Sequence, residues 1–194
     1  MTYTQDCTDA SLISMYQAGN DAALSQIVHR YKDRIYTSIY MLVKDQYLAE
    51  DIFQESFLKI IKTMKSGRYS EQGKFLPWAL RVAHNLCMDH FRRVRLQISV
   101  TTEDGREIIE LLPMAHTNGA ERMEERQTRQ SVRDLIEGLP EEQREVVTLR
   151  IYGELSFKEI ADMTSVSINT ALGRMRYGLI NLRKAIKEQE LVLR

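Results

Sequence analysis

The chain has 194 residues, 43% of them hydrophobic, and its 27 Lys and Arg balance 27 Asp and Glu, so it carries no formal net charge. That is enough apolar material for one or two small cores, and the charge total alone points to no polyanionic partner. Two cysteines, Cys7 and Cys87, make no disulfide framework; no apolar run reaches the ~18 residues of a membrane span, and MTYTQDCTDA lacks the basic start and apolar stretch of a secretion signal, so a cytoplasmic chain without membrane insertion is expected.

Helical periodicity is nearly continuous and strand patterns are scarce, which predicts an all-α fold. Leu24, Ile27, Val28, Tyr31, Ile35, Ile39 and Leu42 recur at steps of three and four, the mark of a packing face. A second helix, from about Leu48 to Met64, carries Ile52, Phe53, Phe57, Ile60 and Ile61 inward and leaves Glu50, Asp51, Gln54, Glu55 and Lys59 outward. Gly67 and Gly73 bracket a loop with Tyr69 and Phe75 near its ends. A third helix starts close to Pro77, which suits a first turn. Trp78, Ala79, Val82 and Leu86 face its core, Asn85 and Asp89 share another side, and Arg92, Arg93 and Arg95 follow. Asn reads base edges and Arg clusters hold phosphates, so this helix is a candidate nucleic-acid surface. His84, Cys87 and His90 on the same helix are of metal-ligand type, yet steps of three drift around a helix and no fourth ligand is near, where structural zinc takes four. No metal is expected.

From about Gln97 to Gln127 the hydrophobic period fails and Thr, Gly, Pro, His and acids accumulate. This predicts a flexible acidic linker over 97–127, with room for short structure around Ile108 to Leu112, between helical domains at 8–96 and 128–190. The second domain opens with a helix over roughly Arg129 to Glu137, closed by Gly138; Pro140, Glu141 and Glu142 open the next, through Val146, Val147 and Leu149.

Ser156 to Leu179 predicts two helices joined by a tight turn. Ser156 with Glu159 forms a capping box; Phe157, Ile160, Ala161 and Met163 give the first helix a buried side, and Ser167 caps the second. On the second helix Ile168, Ala171, Met175, Gly178, Leu179 and Leu182 share one arc, while Asn169, Thr170, Gly173, Arg176 and Tyr177 share the other. That division suits a recognition helix, one arc docked on its partner and the other offered to base edges and phosphates. Charge agrees: Arg174, Arg176, Arg183, Lys184 and Lys187 occur without an acid between Ser167 and Lys187, whereas the preceding connector is acidic, with Glu121, Glu124 and Glu125 at its end.

These segments, in this order, resemble the extracytoplasmic-function sigma factors of bacterial RNA polymerase. AEDIFQESFLKI, from Ala49 to Ile60, is similar to the AEDLxQExFLxx segment that meets the polymerase clamp in that family. KFLPWALRVAHNLCMDHFRR, from Lys74 to Arg93, is similar to the FxxWLxRIAxNxxxDxxRR segment that recognises and opens the −10 element. LPEEQREVVTLRIYGELSFKEIADMTSVSINTALGRMRYGLINLRK, from Leu139 to Lys184, is similar to the −35-binding domain. The resemblance implies core-polymerase binding through Asp51, Gln54, Glu55 and Phe57. It implies −10 contacts from Asn85, Asp89, Arg92 and Arg93, with Tyr69 and Phe75 on a loop that pockets a flipped base. It implies −35 contacts from Ser167, Asn169, Thr170, Gly173, Arg176 and Tyr177, with Arg174 at the flank. The implied partners are core RNA polymerase, through its clamp and flap elements, promoter DNA and an anti-sigma factor; no cofactor and no enzymatic activity are implied. Leu172 and Gly173 depart from the family, which often has a basic residue and a Ser there. Two rival readings remain: a stand-alone helix-turn-helix repressor, which leaves AEDIFQESFLKI and the Asn85 helix without a task, and a small metal-dependent enzyme at His84, Cys87 and His90, which metal analysis of the purified protein would decide.

Overall fold

Thr8, Asn20 and Asp45 start the first three helices by one device, a side-chain oxygen that accepts from a backbone N–H in the first turn, Ser11, Ala22 and Leu48 respectively. Each such cap is worth about 1 kcal/mol. They open α1 (Asp9–Gln17), α2 (Asp21–Val43) and α3 (Gln46–Lys65). A computed structural model describes residues 7–70, 73–101 and 123–188. Of the acidic connector, residues 102–122, including Ile108 to Leu112 and Glu121, lie outside the described residues.

Helix α4 (Phe75–Thr101) starts before Pro77, whose missing N–H falls among the first-turn donors that lack a helical partner anyway. It continues past residue 96, where the sequence places the end of the first domain, because LQISVT holds neither Gly nor Pro to stop it. Likewise α5 (Met123–Glu137) begins ahead of the expected Arg129, in a run of helix formers, MEERQ. Then come α6 (Glu141–Ile151), α7 (Phe157–Thr164) and α8 (Ile168–Glu188). The described residues are helices and turns without a strand.

The two helical groups do not stand apart. One apolar cluster runs from Ile35, Ile60 and Phe75 through Leu80 to Val146, Leu149, Leu155 and Ile160. Around it, three cations cap helix C-termini across the boundary. Arg144 of α6 donates Nε–H to the Met41 carbonyl near the end of α2 at 2.9 Å. Lys44, just past α2 in the left-handed conformation at φ 54°, returns the favour with Nζ on the Glu137 carbonyl at the end of α5, 2.5 Å away. Arg34 donates Nε–H to Tyr152 O at the end of α6, 2.9 Å, and pairs with Glu154 at 2.9 Å. Terminal carbonyls have no partner within their own helix and sit at the negative end of its dipole, so a cation satisfies both needs at once. A fourth link joins α4 to α6: the Nε2–H of buried His84 donates to Glu145 Oε1 at 2.7 Å.

Candidate nucleic-acid and polymerase interfaces

The helix pair at α7 and α8 is built as its sequence predicts. Glu159 N–H donates to Ser156 Oγ at 3.3 Å and Ser156 N–H donates back to the Glu159 carboxylate at 2.9 Å, closing the capping box. The Ser156 hydroxyl, which donates to the Glu159 carboxylate at 2.7 Å, and the Ser156 N–H hold that carboxyl below its ordinary pKa, with Lys74 helping across 3.5 Å. Ser165 ends α7 in the left-handed conformation at φ 55°, and the Ser167 hydroxyl accepts from Thr170 N–H at 3.0 Å to start α8.

Helix α8 docks through small residues. Ala171 and Gly178 are its buried positions, and a Cβ on Gly178 would stand 2.9 Å from Val147 Cγ2 of α6. So close an approach leaves a narrow contact, and Ile168 and Leu179, expected on the buried arc, stay exposed beside Leu172. Asn169, Thr170, Arg176 and Tyr177 are exposed as expected, with Gly173 between them. Arg174 differs: its side chain is 19% exposed and pairs with Glu142 of α6 at 3.0 Å, tying the helix to its own domain. Ser167 likewise serves α8 itself, as its cap.

On α4, Asn85, Arg92 and Arg93 are exposed and Asp89 is half-buried. Asp89 is held by its neighbours, accepting from Arg92 at 3.0 Å through its carboxylate and from Arg93 at 3.3 Å through its carbonyl. The loop aromatics face inward rather than forming an open pocket. Phe75 is 1% exposed and packs on Tyr31 at 5.2 Å and Trp78 at 5.9 Å; Tyr69 is 9% exposed and lies 4.1 Å from Trp78. Phe75 is therefore a core residue, and Tyr69 and Trp78 brace the loop from beneath. Residues 71–72 at its tip lie outside the described residues.

On α3, Asp51, Gln54 and Glu55 are exposed, as the sequence requires. Phe57 is not on that surface: it is 8% exposed, in register with Ile60 and Met64, and its ring lies 4.7 Å from Phe53. The residues that sequence reasoning missed are Tyr47 and Leu58, each 69% exposed. With Asp51 and Gln54 they complete a stripe at steps of four, three and four along one face of α3. That spacing was visible in the sequence and could have picked Leu58 over its neighbour.

His84, Cys87 and His90 form no site. The His84 Nε2 is taken by Glu145, and burial pushes the Cys87 thiol up to about 12, far from the thiolate that metals bind. Among the described residues no group of three or more His, Cys, Asp or Glu converges on one point, and no helix is long and apolar enough to cross a membrane.

Comparison with known proteins agrees with this division. Residues 27–96 match the family model for Sigma-70 region 2, and residues 129–172 that for Sigma-70, region 4. The ECF RNA polymerase sigma factor SigW of Bacillus subtilis (strain 168) is 27% identical over 91% of this chain and 95% of its own length. The ECF RNA polymerase sigma factor BldN of Streptomyces coelicolor is 32% identical over 77% of this chain, which spans 55% of that longer protein. In fold, the chain is similar to the sigma factor RpoE solved with the anti-sigma factor NepR from Bartonella quintana, with a TM-score of 0.64 at 17% identity over 84% of this chain and 96% of that one. It is also similar to CnrH, solved with the cytosolic domain of CnrY, with a TM-score of 0.57 at 18% identity over 93% and 97% of the two chains. A helical group carrying the region 2 match, a second carrying the region 4 match and ending in a helix-turn-helix, and relatives aligned along nearly the full chain lead to one conclusion: this protein belongs to the extracytoplasmic-function sigma factors of the sigma-70 family.

Proposed function

We propose that the chain binds core RNA polymerase through α3 and directs it to promoters by reading a −10 element with α4 and a −35 element with α8. The observation that carries this reading is the presence, on one chain, of two exposed surfaces of different chemistry. Helix α8 offers Asn169, Thr170, Arg176 and Tyr177 with no acid along its reading face. Helix α3 offers Asp51 and Glu55 framed by exposed Tyr47 and Leu58, a combination that DNA would repel and a basic, partly apolar protein surface would accept.

Each surface then has a defined task. Asn pairs bidentately with adenine and Arg with guanine in the major groove, so Asn169 and Arg176 supply sequence discrimination at the −35 element. Asn85 sits on the exposed side of α4 with Arg92 and Arg93 about two turns beyond, a base reader followed by phosphate contacts. Capture of unstacked bases stabilises each by about 1–3 kcal/mol, enough to bias strand opening without a nucleotide-hydrolysing step, so no enzymatic activity of the chain itself is required. Such a subunit works where the polymerase is, in the cytoplasm. RpoE and CnrH were both solved with a protein partner, and an anti-sigma factor is accordingly proposed here as a partner that competes for the same exposed faces.

A stand-alone repressor shares α7 and α8 but has no use for α3. Mixed with core polymerase, the chain is expected to co-purify at one equivalent per polymerase through size exclusion; failure to co-elute at micromolar concentration would return the repressor reading.

A further inference from the structure

The two glycines of α8 are explained very differently. Gly178 is required by packing, since a Cβ there would meet Val147 Cγ2 at 2.9 Å. Gly173 is required by nothing in the fold: no atom stands within 4 Å of where its Cβ would be, and its backbone is ordinary right-handed helix. A glycine in an open helix interior is unfavourable relative to alanine. Beside it Leu172 leaves 43% of its surface in water, on the exposed side of α8 with Asn169 three residues before and Arg176 four residues after. An exposed leucine next to an unneeded glycine, framed by an amide and a guanidinium, is a poor helix surface for solvent and a good one for a contoured body that enters from outside.

The major groove offers one apolar group on its base edges, the C5-methyl of thymine. We infer that Leu172 is a specificity-determining residue of the −35 reading helix, seated against a thymine methyl, and that Gly173 removes the Cβ that would hold the helix off the base edges at that point. Asn169 and Arg176, each about one helical turn from Leu172 in opposite directions, then reach bases on either side of the thymine. The inference rests on the proposed promoter reading and goes beyond it by naming one base and the atom recognised.

The test uses the full chain assembled with core polymerase. A −35 element is first selected from random duplex DNA, and each thymine in it is then replaced singly by deoxyuridine, which removes the methyl and nothing else. At one position wild-type holoenzyme is expected to lose about fourfold in affinity, the worth of one buried methyl. Leu172→Ala should bind the thymine duplex with a similar loss and be indifferent to deoxyuridine at that position. Gly173→Ala should raise thermal stability and still weaken binding to the selected element. An element insensitive to deoxyuridine at every thymine, or a Leu172→Ala holoenzyme as sensitive as wild type, overturns the inference and leaves the promoter reading standing. Failure to select any −35 element overturns both.

Discussion

Leu58→Asp is expected to lower affinity for core RNA polymerase on the order of 30-fold or more, the ~2 kcal/mol of an interface anchor, with stability within about 0.5 kcal/mol of wild type. Its neighbour behaves in the opposite way. Phe57→Ala should destabilise the chain by about 3–5 kcal/mol, because the ring fills the core beside Phe53 and its removal leaves a cavity. Leu58 is 69% exposed, so its truncation opens no core cavity and the fold has little stake in it. Urea denaturation and titration of labelled protein with core polymerase separate the two effects. Leu58→Asp protein that binds as wild type would remove the apolar half of the α3 surface from the polymerase contact.

Arg144→Ala is expected to cost about 2–4 kcal/mol, lowering Tm by about 5–15 °C for a chain of this size. The guanidinium is buried, with hydrogen bonds to the carbonyls of Met41 and Leu139, both at 2.9 Å. Burial draws its pKa below the ordinary value, and Glu141, Glu137 and Glu145 act against that shift, so the charge persists at neutral pH. Truncation strands two carbonyls in a site already closed by Leu139 and Met41, where an unpaired acceptor costs about 1–3 kcal/mol. Because Met41 belongs to α2 and Arg144 to α6, the variant should also loosen the docking of the two helical groups, read as faster amide hydrogen exchange at the end of α2 and in α6. A Tm within about 2 °C of wild type would mean that the carbonyls find other partners.

The helix-turn-helix was legible in the sequence because its punctuation is local: Ser156, Glu159 and Ser167 each cap through a neighbour three residues away. Helix faces were legible where large side chains mark them, as with Ile27, Ile35 and Ile39 on α2. They failed where small residues make the contact. Ala171 and Gly178 carry the docking of α8, so the larger Ile168 and Leu179, which look like core, remain in water. Phe57 reads in two ways: its spacing puts it inward, where it lies, while the resemblance puts it on the polymerase surface, one position and about 100° away from exposed Leu58. The packing of the two groups was not legible at all. Nothing local in the sequence marks Arg34, Lys44 or Arg144, and their partners are backbone carbonyls, which every residue possesses and no sequence distinguishes.

A chain that confers promoter choice on core RNA polymerase should do so in run-off transcription in vitro, with purified core enzyme, the chain and a genomic fragment library. Discrete start sites are expected that depend on the chain and share two sequence elements at one fixed spacing, lost on Asn85→Ala at the downstream element and on Arg176→Ala at the upstream one. Initiation scattered as with core enzyme alone, in the presence of a chain that is folded and bound, would contradict a role in promoter choice.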